Sequence, residues 1–266
     1  MDLVILTHWD LAMAAILVLT LAGLSWAGRL NLQRQLLVSA LRALVQLLLI
    51  GLVLKTIFEL NNPVWILLIS LVMLAIAAHE VKARQHRRMA GWWGYGIGTL
   101  SMFLSSFAVM LITMAAIIQI DPWYHPQYLI PLLGMLLGNT MNGVAISLDR
   151  LLEDAWRERS SIEARLSLGH SASSAISDIK RKALRSGLIP IINAMATAGI
   201  VGLPGMMTGQ ILAGSPPLEA TKYQVLILFL IAAGTGFGAI GAVWLASLRL
   251  FDERERLRLD RLISKS

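Results

Sequence analysis

Long apolar stretches separated by short polar ones dominate the sequence. Seven of them approach or reach the length needed to cross a bilayer, whose hydrocarbon core is about 30 Å thick. They lie near residues 11–27, 36–58, 64–78, 97–120, 129–148, 188–207 and 223–248. Backbone polar groups inside lipid must be satisfied within the segment, so each stretch is predicted to be a helix. The pattern predicts an all-α integral membrane protein, with residues 1–266 forming a single polytopic domain.

One polar stretch is much longer than the others. Residues 149–187, here called the polar segment, form 39 residues that hold eight of the 23 Lys and Arg. The other basic clusters lie at 28–35, 79–94 and 249–266. Loops rich in Lys and Arg stay on the cytoplasmic side of a membrane. The predicted orientation therefore has the N-terminus outside, the C-terminus in the cytoplasm and the polar segment inside the cell.

The polar segment has the pattern of a helix, a glycine and a second helix. Ser160 and Glu163 have capping-box spacing, which predicts a helix start at this point. Gly169 is placed to end that helix in the left-handed conformation, and a second amphipathic helix can begin at Ser171. Two readings remain open: a surface that docks a cytoplasmic partner, or a basic helix lying on lipid. The residues expected at a partner surface are Glu163, Leu168, Gly169, Ala172, Ile176 and Ile179.

Composition narrows the function classes. The hydrophobic fraction of 56% and the mean hydropathy of +0.68 lie outside the usual soluble range. The net charge of +7 does not indicate a nucleic-acid partner, because the basic residues cluster at the ends of apolar stretches. The absence of cysteine excludes disulfides and thiolate metal sites. The chain also lacks a G-x4-G-K-[ST] run, so it has no P-loop to cradle ATP phosphates.

Few polar side chains lie within the predicted spans, and none is a deeply placed Asp or Glu. This disfavours a proton-driven carrier. The candidates for a transport route are Arg42, Gln46, Asn139, Asn142, Asn193, Pro204, Met206, Met207 and Gln210. Arg42 either lines the route or extends to the interface, and the asparagines either line it or bridge helices. The methionines either pack or bind a soft metal. A helix break near Pro204 is typical of transport routes.

The polar segment resembles a known coupling element. Glu163-Ala164, Gly169 and Ile179 read E-A-x4-G-x9-I. This is similar to the EAA loop of bacterial ABC importer permeases, whose short helix docks into a cleft of the ATPase subunit. The Leu-Pro pair expected after the isoleucine is replaced by Arg181-Lys182. Glu163 either reaches the partner or only caps its own helix.

Seven short runs carry a wider resemblance. They are RALVQL at 42–47, GNTM at 138–141, LSLG at 166–169, LPGMMTG at 203–209, AG at 213–214, PL at 217–218 and KYQ at 222–224. In this order they resemble the FetB family of iron-export ABC permeases, to which plant permeases linked to aluminium tolerance also belong. The resemblance implies an iron-exporting subunit of the bacterial inner membrane. It also implies a separate FetA-like ATPase that binds ATP and Mg²⁺, with no cofactor in this chain.

A single polar segment per chain favours a permease homodimer with two ATPase subunits. Two other functions stay open at this point. Arg42 and the missing carboxylates allow export of an anionic or organic solute, or of another metal. A membrane scaffold with no transport cycle is the third possibility. An enzyme is disfavoured, because the sequence shows no carboxylate pair, metal cluster or nucleophile–base set.

Overall fold

The structure, a computed structural model, describes residues 7–60 and 62–264, and these are mostly helical. Two π-helical segments, Phe103–Phe107 and Thr113–Ile118, interrupt the fourth predicted span, and Leu259–Arg261 is a 3-10 turn. The α-helices are α1 (His8–Ala27), α2 (Gln33–Leu60), α3 (Pro63–Arg84), α4 (Trp93–Met102), α5 (Ala108–Ile112), α6 (Pro126–Arg157), α7 (Arg159–Ser167), α8 (Ala172–Ala175), α9 (Ser177–Thr197), α10 (Gly205–Leu212) and α11 (Pro217–Arg249).

Six helical stretches in the described part of the chain are long and apolar enough to cross a membrane. They are Trp9–Ala27, Gln33–Glu59, Pro63–Arg84, Trp93–Ile118, Pro126–Arg157 and Pro217–Arg249. Each contains one predicted span apart from a residue or two at its ends, so a helical membrane protein is confirmed. The orientation stays a prediction, and residues 1–6 lie outside the described part.

The predicted span 188–207 is not one continuous helix, so the helix break expected near Pro204 is confirmed. α9 ends at Thr197, and a tight turn follows in which Gly199 has a φ of +82°. α10 begins only at Gly205, after Pro204. Glycine readily takes the left-handed conformation and proline cannot donate a helical hydrogen bond, so both residues favour the break. A seventh crossing of the membrane stays a prediction.

The described residues cluster into two compact units. The first comprises 7–60, 62 and 212–214. Its α1 starts with a capping box, in which Thr7 and Asp10 each accept a hydrogen bond from the other's backbone N–H. Most of the large apolar side chains of α1 and α2 are exposed. Contiguous exposed apolar surface on two long helices is what contact with lipid requires.

The second unit comprises 63–211 and 215–264, and α6 lies at its centre. α6 packs against α3, α9 and α11. Close approach depends on small residues: a Cβ on Gly187 would lie 1.9 Å from Ser147 Oγ, and one on Gly143 would lie 2.4 Å from Thr235 Cγ2. Such glycines let helix backbones pack closely. The sequence pattern assigned Gly187 to the end of the polar segment. In the structure, Gly187 lies where α9 crosses α6.

The part of the polar segment that stands apart from the long helices is shorter than predicted. α6 continues without a break to Arg157, and α9 begins at Ser177. The two long helices project beyond the apolar stretches, because their charged residues are compatible with helix on the solvent side. Residues 158–176 remain as the short connection that contains α7 and α8.

A small antiparallel sheet departs from the all-α prediction. β1 (Arg87–Met89) pairs with β2 (Leu262–Ser264), so that Met89 lies opposite Leu262. The Arg261 guanidinium donates hydrogen bonds to the carbonyl oxygens of Arg249 and Phe251, at 2.8 and 3.2 Å. The strand pairing ties the tail that follows α11 to the loop between α3 and α4. Strands of three residues carry no usable alternation, so the sequence pattern missed them.

Candidate functional site

A cavity of about 450 Å³ lies among α6, α10, α11 and the end of the second π-helical segment. We call it the α6–α11 cavity. Half of its lining is polar or contains sulfur: two glutamines, two tyrosines and two methionines. The lining residues are Ile118, Gln127, Tyr128, Pro131, Leu132, Met135, Met206, Gln210, Tyr223, Leu226, Ile227 and Leu230. π-Helical turns often occur at functional sites, and Ile118 is the last residue of one.

α10 supplies Met206 and Gln210, which are four residues apart and share one helix face. The amide oxygen of Gln210 is buried and accepts no hydrogen bond from any described residue. Met207 points elsewhere, because its sulfur accepts a 4.0 Å hydrogen bond from Thr221 Oγ1 on α11. Of the two adjacent methionines, Met206 is therefore the one that lines the cavity.

The cavity lies at the N-terminal ends of α6 and α11, far from the polar segment. Tyr128 and Met135 are seven residues apart on α6, which spans about 10 Å along the helix axis. A smaller cavity of about 260 Å³ shares Ile118, Tyr223 and Leu226 with it. That neighbour contains an exposed ion pair, in which Lys222 Nζ lies 2.7 Å from Glu219 Oε1. The charged groups are thus at the rim, whereas the larger cavity is lined by uncharged side chains.

The three asparagines predicted for the route lie outside the cavity. Asn139 Nδ2 donates to the carbonyl oxygen of Met135 at 2.8 Å, four residues earlier in α6. Asn142 accepts a hydrogen bond from the Arg84 guanidinium of α3, so it bridges two helices. The backbone carbonyl oxygen of Asn193 accepts from Thr197 Oγ1 at 2.9 Å. All three are exposed, and among the described residues none of them lines the α6–α11 cavity.

The remaining route candidates are placed as follows. Arg42 and Gln46 are exposed residues of α2, in the first compact unit. Pro204 precedes α10, and its carbonyl oxygen accepts hydrogen bonds from Thr208 N and Oγ1. Within 7–60 and 62–264, no three His, Cys, Asp or Glu side chains converge as a metal site. The structure thus brings Met206 and Gln210 into one cavity; a transport role for the whole set stays a prediction.

The tip of the polar segment, residues 168–176, begins with a tightly hydrogen-bonded turn. Gly169 has a φ of +87°, and its N–H donates to the Leu166 carbonyl oxygen at 3.0 Å. His170 N donates to the Arg165 carbonyl oxygen at 3.1 Å. These two bonds form a Schellman motif, in which glycine favours the left-handed position. The predicted glycine stop is confirmed, and it leaves the Leu168 side chain 80% exposed.

A helix begins near the predicted position in the polar segment, but the predicted cap is wrong. α7 begins at Arg159 with Glu158 as its N-cap, so Ser160 lies inside the first turn. The capping-box spacing of Ser160 and Glu163 therefore has no structural role as a helix start. The cause is α6, which reaches Arg157 and leaves Glu158 as the junction. Glu163 is exposed on α7, and its contact with a partner stays a prediction.

The second predicted helix starts as expected but presents its apolar face inward. Ser171 is the N-cap of α8 and accepts a hydrogen bond from Ser174 N at 3.4 Å. Ile176 and Ile179 are only 1% and 2% exposed, and Ala172 is partly buried. These isoleucines pack within the protein and cannot offer a free docking surface. The exposed apolar side chain at the tip is Leu168 instead.

An ion pair between α7 and α9 holds the tip, and the sequence analysis missed it. Both terminal nitrogens of Arg165 donate to Asp178 Oδ2 at 3.1 Å, and Nη1 also donates to the Ala175 carbonyl oxygen at 3.4 Å. The hydrogen bond from Arg165 holds the pKa of Asp178 below its ordinary value, against a smaller opposing effect of desolvation. The two residues are thirteen positions apart, a spacing that no helical period would have indicated.

A second polar clamp joins the end of α3 to α6. His86 N donates to Asp149 Oδ1 at 2.7 Å, and Arg87 Nε donates to Glu153 Oε2 at 3.0 Å. The Arg87 guanidinium also lies 4.2 Å from the centre of the Trp156 ring. A cation over an aromatic face is attracted by the ring quadrupole. The charged end of α6 is therefore fixed to the segment that follows α3.

Comparison with known proteins places the chain in a family. A model described as Uncharacterised protein family (UPF0014) matches residues 8–251. The chain is 38% identical over 248 residues to UPF0014 membrane protein slr1647 of Synechocystis sp., which covers 92% of this chain and 93% of the relative. It is 31% identical over 267 residues to the Probable iron export permease protein FetB of Escherichia coli, covering 98% of each. Protein ALUMINUM SENSITIVE 3 of Arabidopsis thaliana is 30% identical over 248 residues, covering 93% of this chain and 88% of the relative.

No solved structure matches the chain significantly. The family match and the near full-length relatives include the FetB permease, so the resemblance seen in the sequence runs is confirmed. The six apolar helices and these membrane-protein relatives together make the chain a multi-pass membrane protein. The chain therefore belongs to the UPF0014 family of membrane proteins.

Proposed function

We propose that this protein is the membrane subunit of an ABC transporter that exports iron. The observation that carries the proposal is the 31% identity to the Probable iron export permease protein FetB over 98% of both chains. Coverage of this extent includes the apolar helices, the polar segment and α10 together. A shared role for the whole chain is therefore better supported than a shared single motif.

The energy source in this proposal is a separate, FetA-like ATPase subunit. The sequence has no P-loop, so ATP and Mg²⁺ would be bound by that partner. The tip of the polar segment supports the pairing, because Leu168 presents an exposed apolar side chain on a turn fixed by the Gly169 motif. One polar segment per chain favours two permease copies with two ATPase subunits.

The proposed cycle follows from these parts. ATP draws the two ATPase subunits together, and the polar segment moves with them. α6 runs from that segment to the α6–α11 cavity, so the same helix connects both places. The membrane helices then switch access between the two faces. The setting is the inner membrane of a bacterium, with the exposed apolar side chains of α1 and α2 against lipid.

Co-expression with a candidate FetA-like ATPase subunit tests the proposal. We expect the two subunits to co-purify, the ATPase rate to rise with iron, and cells deleted for the permease to retain more iron. ATPase activity indifferent to iron, together with unchanged cellular iron, would remove iron as the substrate. A purified chain that never associates with an ATPase would instead favour a scaffold.

Export of an organic solute is the second candidate, and one observation favours it. The α6–α11 cavity is lined by uncharged side chains over its described surface, so it suits an organic molecule. Stimulation of the co-purified ATPase by organic solutes in the absence of iron would select this alternative.

A further inference from the structure

We propose that the α6–α11 cavity binds iron inside a small, uncharged organic chelate and not as a bare ion. This inference rests on the proposed function, since it concerns the form in which iron would be carried. It begins from the donor atoms that the cavity offers. Its described lining contains two thioethers, two amides and two phenols, but no carboxylate, imidazole or cationic side chain.

That donor set is poorly matched to a bare ferrous ion. Imidazole and carboxylate oxygen are the protein ligands suited to Fe(II), and thioether sulfur suits Cu(I) better. A cation entering an uncharged, largely apolar site also loses its hydration with no opposite charge to replace it. The charged pair Glu219 and Lys222 lines the neighbouring cavity and not the one that contains Met135 and Met206. These charged groups are therefore not placed to replace the hydration shell of an ion inside the α6–α11 cavity.

The same lining suits an organic ligand. A volume of about 450 Å³ falls in the range of ordinary small-molecule sites. Leu132, Ile227 and Leu230 provide apolar wall, and all three are buried. Met206 can adapt to an irregular apolar surface, because its side chain is unbranched and polarisable. A chelate turns its carbon atoms outward, so its exterior would contact this wall while the metal stays enclosed.

Gln210 gives the cavity a polar contact of its own. Its amide oxygen is buried and accepts no hydrogen bond within the described chain, and a buried acceptor is costly until a donor reaches it. Its amide nitrogen can donate to ligand oxygens. Tyr128 and Tyr223 are 42% and 40% exposed, so their rings flank the opening and combine apolar faces with a polar hydroxyl. These contacts would orient a neutral ligand without demanding a charge.

The test uses the permease co-purified with its ATPase and placed in nanodiscs. The probes are uncharged ferric tris(maltolate), ferrous ion held reduced with ascorbate, and anionic ferric citrate. We expect ferric tris(maltolate) to raise the ATPase rate and the other two to leave it unchanged. Stimulation by ferrous ion or ferric citrate without stimulation by the neutral chelate would overturn the inference and leave iron export standing. Failure of all three iron forms would overturn both.

A charge substitution sharpens the test. Gln210→Glu keeps the side-chain shape and adds a carboxylate, which should weaken the response to the neutral chelate by at least about tenfold, because a buried unpaired charge is unfavourable. A bare cation as cargo would predict the opposite, tighter binding in Gln210→Glu. Thr208→Val is the matched control on α10, since the Thr208 hydroxyl donates to the Pro204 carbonyl oxygen and its side chain does not line the cavity.

Removal of sulfur tests the main rival. Met206→Leu and Met135→Leu take away a thioether with little change in volume. If both abolish the response to every iron form, while Met207→Leu on the other face of α10 does not, direct thioether ligation would replace the chelate proposal. Met206→Trp should fill the cavity, and we expect it to abolish stimulation by ferric tris(maltolate).

Discussion

Leu168 and Ile176 are both apolar residues of the polar segment, but their exposure differs almost completely. Leu168 is 80% exposed at the turn, and Ile176 is 1% exposed beneath it. Sequence spacing favoured Ile176 as a contact for the partner, because hydrophobic periodicity identifies a face without saying what covers it. Burial removes Ile176 from the predicted partner surface and leaves Leu168 on it, which changes the residue that an experiment should substitute.

Leu168→Asp is expected to uncouple ATP hydrolysis from transport while the protein folds normally. An exposed substitution of this kind changes stability by about 0.5 kcal/mol or less. Ile176→Asp is expected to unfold the tip, because it places a charge in a buried apolar site. Thermal unfolding and cargo-stimulated ATPase activity, measured on both variants, separate the effects. Normal coupling in Leu168→Asp would show that the tip is not the docking surface.

Gly187 tests the crossing of α6 and α9. Gly187→Ala would bring its Cβ to 1.9 Å from Ser147 Oγ and 2.5 Å from the Gly143 carbonyl oxygen. Overpacking of this type costs about 1–3 kcal/mol, so the midpoint of thermal unfolding should fall clearly. Gly138→Ala is the matched control, because a Cβ there would meet no described atom within 4 Å. Equal shifts in the two variants would contradict the close crossing.

At the scale of elements, α7 and α9 act as a pair joined by Arg165 and Asp178. Arg165→Met is expected to loosen residues 168–176, because it removes both guanidinium contacts to the carboxylate and the one to Ala175. Hydrogen exchange of that stretch measures the loosening. Arg181→Met is the control: Arg181 also contacts Asp178, but its side chain is 79% exposed. A faster exchange in the control than in Arg165→Met would contradict the assignment.

The ion pair of Arg165 and Asp178 makes the stability of the tip depend on pH. The pKa of Asp178 is lowered in the folded protein, first by the hydrogen bond from Arg165. Its stabilising contribution is therefore complete above the ordinary value of 3.8 and is lost as pH falls through the lower, folded pKa. Protection of the tip should be constant from neutral pH to pH 5 in the wild type and should decline only in strong acid.

Particular elements show what the sequence could predict. The six apolar helices could be predicted because each contains an apolar run long enough to cross a bilayer. The role of Gly169 could be predicted because a left-handed glycine commonly ends a helix. The sequence predicted only part of the α6–α11 cavity: it identified Met206 and Gln210 as candidates but not Met135 and Tyr223. Their roles depend on which helices are neighbours, and that information is not local. The β1–β2 pair was missed because its three-residue strands are too short to show an alternating pattern.

At the scale of the whole molecule, orientation is the main expectation left to test. The chain contains no cysteine, so single cysteines can be introduced without first removing any. Ser173→Cys should react with a membrane-impermeant maleimide only from the cytoplasmic side, because the basic polar segment is predicted inside. Leu218→Cys, 69% exposed at the start of α11, should react only from outside. The reverse pattern would invert the predicted topology.

The length of α6 has a mechanical consequence. Thirty-two residues of continuous helix form a stiff rod of about 48 Å. Pro131 lies near one end, beside the cavity, and its ring nitrogen cannot donate to the carbonyl oxygen of Gln127 four residues earlier. α6 is therefore most easily bent beside the cavity and rigid along the rest of its length. Movement at its C-terminal end would tilt the helix as a rigid body and bend it at Pro131. That motion would displace the cavity wall formed by Gln127, Tyr128 and Met135.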